Sequence, residues 1–360
     1  MSMQEFVERD QVLKLAETDP EYAAWQENNS FPEMDWTDIQ AARSIVDPWV
    51  AESFELLGDS GVTIEVPMRD GYRSVLRFYR AQCPEKKSSP LIVLLHGGAF
   101  VTGDNRELAN YALALRALYH TTVVLPSYRL APEHAFPTAQ HDVWDTLGWL
   151  SQNATTSFGA DLSVGFVVGG VSAGGNLVAT LGQKWADEER VPKLTGLWLS
   201  IPLIFADIHH VPTEYQDTYL SREQNAAAPM NGETPSTILE LLKRDTQSSW
   251  YSPMNSAHRR PHKVVAQNGT RVYFQAAGQD FYRDDALIYE RILRKHGVET
   301  KLDVYPGLPH GHFSALPFLS ESRRCNYDTL RQFAWLLRLE TPSPEALRAV
   351  VQAVVPTISV

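Results

Sequence analysis

Gly170, Val171, Ser172, Ala173 and Gly174 spell G-x-S-x-G between the apolar run VGFVVG and a helix-like pattern that begins at Ala173. A strand that turns directly into a helix through such a pentapeptide forces its central residue into a strained conformation, with the side chain exposed at the end of a sheet. The residues two positions away on each side crowd together there, so both must be Gly, as Gly170 and Gly174 are. The helix that follows directs its N-terminal dipole and unpaired N–H groups at the serine, where negative charge is favoured. This stretch predicts a nucleophile elbow made of Gly170, Val171 and Gly174 around Ser172.

An activated serine needs donors for the developing oxyanion, a base for its proton and a carboxylate to orient the base. His96, Gly97, Gly98, Ala99 and Phe100 follow the apolar run LIVLL and match the HGGG type of oxyanion loop. Gly97, Gly98, Ala99 and Ala173 are therefore assigned to the oxyanion hole. Donation falls to Gly98, Ala99 and Ala173, and Gly97 shapes the turn. After a serine elbow of this kind the acid and base follow in the order Asp or Glu, then His. Asp280 follows the run RVYFQ in AAGQDFYRDD, and His310 follows KLDVY in GLPHGHF. Both positions are loops at the carboxyl ends of strands, where α/β sheets place their ligands. The rivals Asp284 and Asp285 fall at a helix start and read as N-terminal caps. His312 reads as hydrogen-bonded to backbone or as part of a partly exposed pocket wall. His209 with His210, and His258 with His262, read as surface pairs. No cysteine or carboxylate completes a zinc set around them.

Eight short β-branched or aromatic runs, bounded by Gly, Pro, Asp or Ser, read as strands: 62–66, 74–79, 91–95, 121–125, 164–168, 197–201, 271–275 and 301–305. Helical patterns at 138–151, 173–189, 283–296 and 327–339 alternate with the later ones. The first two strands are close enough for a hairpin, so an antiparallel start feeding a parallel, doubly wound sheet is expected, with helices on both faces. Two stretches break the rhythm. Residues 1–58 carry helices rich in Trp25, Phe31, Trp36, Trp49 and Phe54, and residues 203–263 hold the polar loop SREQNAAAPMNGETPS and the helical piece TILELLKRDTQSSW. The expected division is an N-terminal cap part (1–58), a first core part (59–202), a second cap segment (203–263) and a second core part with a helical tail (264–360).

The chain has 32 Lys and Arg against 43 Asp and Glu, a net charge of −11. It offers no cationic footprint for a phosphate backbone, so no nucleic-acid partner is expected. Cys83 and Cys325, the only cysteines, leave room for one bridge and no CxxC site. No apolar run reaches the roughly 18 residues of a membrane helix, and the N-terminus lacks the features of a signal peptide, so a cytoplasmic location is expected. With no GxGxxG, P-loop or ligand cluster, no nucleotide, redox cofactor or metal is implied.

The segments HGGAF, SYRLAPEHAFPTAQHDVWDTLGWL, GVSAGGNL, GQDFYRDD and GLPHGHF together resemble the hormone-sensitive-lipase-like family of α/β-hydrolases, which contains many carboxylesterases. The resemblance runs from about residue 60 to 338. It implies an eight-stranded, mostly parallel sheet with a helical cap, and cofactor-free hydrolysis of short and medium acyl esters by Ser172, Asp280 and His310. Three positions depart from the family pattern: Ala99 where a third Gly is common, Val171 where Asp commonly precedes the serine, and Phe281 where Pro often follows the acid. They bear on the substrate subclass. In YRLAPEH, Arg129 and Glu133 read as an ion pair that pins a Pro-containing loop; Tyr128 and His134 belong to the same cluster. The expected activity is serine carboxylic-ester hydrolysis through an acyl-enzyme. An alternative is release of a carrier-bound acyl or polyketide thioester, by hydrolysis or as a lactone, with a carrier or synthase partner; the net charge opposes docking of an acidic carrier. A third reading is a hormone-receptor-like binding protein on the same scaffold. Such receptors lack the base that His310 supplies.

Overall fold

Leu91–Leu95 is apolar at every position and buried on both sides, the mark of a strand interior to a parallel sheet. A computed structural model of the protein, describing residues 6–32, 34–58, 61–82, 88–226, 240–258 and 261–354, places it in the middle of an eight-stranded sheet. The strands are β1 (Val62–Pro67), β2 (Arg73–Tyr79), β3 (Leu91–Leu95), β4 (Thr122–Pro126), β5 (Phe166–Val171), β6 (Gly196–Ser200), β7 (Arg271–Ala277) and β8 (Glu299–Tyr305), in the order β1-β2-β4-β3-β5-β6-β7-β8. The β1–β2 and β2–β4 pairings are antiparallel and the remainder parallel.

Alternate residues of β3 feed two hydrophobic clusters, Leu91, Val93 and Leu95 on one face and Ile92 and Leu94 on the other. The first face is covered by the helices Thr138–Phe158, Ala173–Asp187 and Arg283–Lys295, the second by Ala109–Tyr119, Ser320–Leu337 and Pro344–Val354. Full burial of a Leu or Phe is worth about 1.5–3 kcal/mol, so this two-sided cover is what holds the strand ends in register.

Several boundaries differ from the sequence pattern. β5 starts at Phe166 rather than Val164: Val164 is exposed and closes a turn onto Asp161 O, and Gly165 packs against Pro90. The helix expected at 138–151 continues to Phe158 because Ala154 and Phe158 extend its buried face, and it stops at Gly159 in the left-handed region. The last long helix begins at Ser320 rather than Tyr327, since Ser322 and Cys325 continue its buried side. Within 203–263, the segment holds short helical turns at Ile208–His210, Thr213–Thr218 and Ser221–Gln224; residues 227–239 of the polar loop and helical piece lie outside the described residues. Among the described residues no helix is long and apolar enough to cross a membrane.

Candidate active site

The parallel strands deliver their following loops to one edge of the sheet. Ser172 follows β5 and begins the helix Ala173–Asp187, with φ 54° and ψ −113°, a region a non-Gly residue occupies only at a cost of about 1–3 kcal/mol. Its N–H donates to Ser200 O (2.9 Å) and its carbonyl accepts from Asn176 N (3.0 Å), which hold the strained turn. A Cβ on Gly170 would lie 2.4 Å from the carbonyl carbon of Gly174, and one on Gly174 would lie 2.2 Å from Leu95 O. Both positions are closed to any larger residue.

His310, in the loop after β8, bridges Ser172 and Asp280. Its Nε2 lies 3.0 Å from Ser172 Oγ and its Nδ1 2.9 Å from Asp280 Oδ2. A carboxylate only accepts, so Nδ1 carries the proton in the neutral ring and Nε2 is left to accept from the serine hydroxyl. Asp280 is fully buried; its Oδ1 accepts from Tyr282 N (2.7 Å), and its backbone carbonyl accepts from Asn225 Nδ2 (2.8 Å). Tyr282 sets its ring edge-on to the His310 ring, with centroids 5.9 Å apart.

The loop after β3 adopts left-handed conformations at Gly98, Ala99 and Phe100 in succession. Val101 N and Thr102 N both donate to Gly98 O (2.9 Å each), and Ala131 N donates to Phe100 O (2.9 Å). Among the described residues no acceptor takes the N–H of Gly98, Ala99 or Ala173. Gly97 differs: its N–H donates to Glu107 Oε1 (3.2 Å), so it is not free to face an oxyanion. Beneath the loop, His96 stacks on Tyr128, with centroids 4.1 Å apart, and burial pushes its imidazole down to about 4, which keeps it neutral. Tyr128 Oη lies 2.9 Å from His96 O and 3.1 Å from Gly97 O.

Other expectations are corrected. Arg129 does not pair with Glu133: it binds Asp142 through its backbone N–H, Nε and Nη2, and its Nη2 also meets Asp70 (2.7 Å). Glu133 instead takes Arg43 of the helix Ile39–Glu55, whose guanidinium also donates to Val101 O (2.8 Å) and Ala131 O (2.9 Å). Asp284 and Asp285 do not cap the helix they begin. Asp284 Oδ2 accepts from Leu220 N and Ser221 N, and Asp285 Oδ2 from Ile204 N and Phe205 N, so both hold the mid-chain segment. His312 is buried with Nδ1 2.9 Å from Ser322 Oγ, a side-chain partner rather than a backbone one. His262 is buried against Gln183 Oε1 (3.1 Å), not a surface residue, whereas His209 is exposed and His210 partly so. Cys325 is a free, buried thiol; Cys83 lies outside the described residues.

Sequence reasoning passed over Arg43, Asp142 and Glu107. Only Glu107 carried a local signal, an acid in the loop that directly follows the oxyanion motif. The partners of Arg43 and Arg129 come together through the fold alone.

Residues 92–314 match a family described as alpha/beta hydrolase fold. An AB hydrolase superfamily protein of Schizosaccharomyces pombe is 32% identical over 284 residues, covering 78% of this chain and 80% of that protein. The versiconal hemiacetal acetate esterase of Dothistroma septosporum is 30% identical over 259 residues, covering 70% of this chain and 75% of its own. Among solved structures, vibralactone cyclase superposes with a TM-score of 0.81 at 26% identity, over 94% of this chain and 99% of that one.

Proposed function

The chain belongs to the alpha/beta hydrolase fold family and is an esterase of it, and from that premise we propose that Ser172, Asp280 and His310 carry the hydrolysis of short to medium acyl esters. The observation behind this is the unbroken relay from Asp280 Oδ2 through both ring nitrogens of His310 to Ser172 Oγ, at 2.9 and 3.0 Å. Ser172 Oγ attacks the ester carbonyl as Nε2 takes its proton. The oxyanion is held by the N–H groups of Gly98, Ala99 and Ala173, and Asp280 stabilises the imidazolium. Collapse breaks the bond to the alkoxy oxygen, and His310 returns the proton to the departing alcohol. Water, deprotonated by the same imidazole, then attacks the acyl-serine; the acid leaves and Ser172 Oγ regains its proton.

The methyl of Ala99 and the apolar Val171 support a pocket of limited acyl depth. Each buried methylene adds roughly 0.8 kcal/mol until the pocket is full, so kcat/KM on a series of acyl esters is expected to rise and then fall, peaking at or below about eight carbons. A monotonic rise into long chains, with activation at a lipid interface, would refute this substrate range.

A second reading changes the acceptor. The likeness to vibralactone cyclase, at a TM-score of 0.81 over nearly the whole of both chains, supports an acyl-enzyme resolved by a hydroxyl of its own acyl chain. A lactone among the products of a hydroxyacyl ester or thioester, with negligible rates on simple esters, would establish it.

A further inference from the structure

Glu107 has no part in the chemistry above, yet it is built into the loop that performs it. It lies between the oxyanion motif and the helix Ala109–Tyr119, and its Oε1 accepts the Gly97 N–H (3.2 Å). A Cβ on Gly97 would lie 3.2 Å from Glu107 Oε1 and 3.6 Å from the Cβ of Ser172; one on Gly103 would lie 2.9 Å from Glu107 Oε2. The two carboxyl oxygens thus face Gly97 and Gly103, which bracket the segment that carries the Gly98 and Ala99 N–H groups.

Among the described residues no Lys or Arg neutralises this group, since the adjacent Arg106 is held by Asp104. The charged and titratable groups around it are Asp104 on its own loop, Tyr128 and His96 from below, and His310 from the loop after β8. Burial pushes the Glu107 carboxyl up to about 7, against the attraction of His310 and the Gly97 N–H bond. A carboxyl kept in such surroundings without a cation is costly unless its acceptor or its charge is used.

We propose that Glu107 is a positioning residue for the ester reaction: by holding the Gly97 N–H it fixes the Gly98 and Ala99 donors in place. The proposal rests on the triad reading given above. Donors that face the oxyanion only in the transition state act on kcat rather than on KM, so displacing the loop is expected to act the same way.

The test compares the steady-state kinetics of Glu107→Ala, Glu107→Gln and Ser172→Ala on an activated short-chain ester at one fixed pH. Glu107→Ala is expected to lower kcat at least about tenfold with KM within about twofold. In Glu107→Gln the amide oxygen still accepts from Gly97, so kcat returns to within about threefold of wild type. Wild-type kcat in Glu107→Ala, equal impairment in the two variants, or a loss carried by KM rather than kcat each overturns the proposal. If Glu107→Ala does not fold, Glu107→Leu, which fills the space without an acceptor, replaces it with the same expected split between kcat and KM. Activity that survives Ser172→Ala would instead overturn the triad, so the two failures are told apart.

Discussion

Replacing Asp280 by Asn changes one oxygen for an NH2 group, and the surroundings dictate which oxygen is lost. Asp280 Oδ1 accepts from Tyr282 N at 2.7 Å, and an amide NH2 turned toward that N–H would set donor against donor. The Asn oxygen therefore stays on Tyr282 and the NH2 faces His310 Nδ1. To accept from it, the imidazole must place its own proton on Nε2, which can then no longer accept from Ser172 Oγ, 3.0 Å away. The base is present in the wrong tautomer. Such an exchange costs about 10⁴ in kcat, or about 5.5 kcal/mol of barrier at about 1.36 kcal/mol per tenfold. The assay is steady-state hydrolysis of an activated acetate or butyrate ester, with circular dichroism to verify that the variant is folded. Asp284→Asn serves as the comparison, since that carboxylate holds Leu220 and Ser221 and touches neither His310 nor Ser172. A folded Asp280→Asn within tenfold of wild type, or a larger kcat loss at Asp284, would refute the reasoning.

His312→Ala is expected to keep kcat/KM within about fivefold while costing on the order of 2–4 kcal/mol of stability, because the buried ring and its bond to Ser322 are lost; paired thermal melts and kinetics check both halves. Arg129→Ala strands the nearly inaccessible Asp142 carboxylate and is expected to cost about 3–5 kcal/mol in urea unfolding, whereas Glu133→Ala, which frees only a partly exposed pair, costs about 1 kcal/mol or less. Acidification destabilises the fold through His262, whose imidazole is pushed from 6.5 down to about 4 by burial and by His296 beside it. The unfolded chain takes up this proton below about pH 6.5 and the folded chain does not until about pH 4, so stability falls across that window by on the order of 3 kcal/mol. A melting temperature whose pH slope is the same in wild type and His262→Gln would contradict this.

Gly170 and Ser172 were legible because the constraint on them is local, the turn itself bringing Gly170 against Gly174; Gly174 is held small as well by Leu95 O and His96 O of the neighbouring strand and loop, which the turn pattern alone does not reveal. The strand ends were legible for the related reason that a loop after a β-branched run in an α/β chain has one edge to go to, which is where His96, Asp280 and His310 stand. Pairing between charges was not. Glu133 sits four residues from Arg129, a spacing that brings side chains together on a helix but not in a Pro-containing turn, and the carboxylates that do meet Arg129 come from Asp70 and Asp142. Asp284 and Asp285 have the composition of a helix first turn, and the fold uses them as acceptors for backbone N–H groups of the mid-chain segment. A side chain with a long-range partner looks, in the sequence, like one with a local partner.

That use of Asp284 and Asp285 joins the mid-chain segment to the loops that carry Asp280 and His310. The mid-chain residues Leu220 and Ser221 hang on Asp284, and Asn225 a few residues later donates to the carbonyls of Gly278 and Asp280. From the other side, the N-terminal segment takes Gly307 N onto Leu15 O (2.8 Å) and gives Asp19 N to Gly307 O (3.2 Å), bracing the loop that carries His310. Gln279, next to the acid, reaches Ala16 O and Thr18 Oγ1. The two stretches that break the strand–helix rhythm are therefore the supports of the acid and base loops, and Gln224 Nε2 on Leu13 O (2.8 Å) ties them to each other. A sequence change there is expected to disturb the 2.9 and 3.0 Å contacts of His310 with Asp280 and Ser172. Exchanging either stretch for that of a relative is thus expected to lower kcat on an activated short-chain ester, and an unchanged kcat in a folded exchange variant would refute this, since the hydrogen bonds that brace the Asp280 and His310 loops come from these stretches.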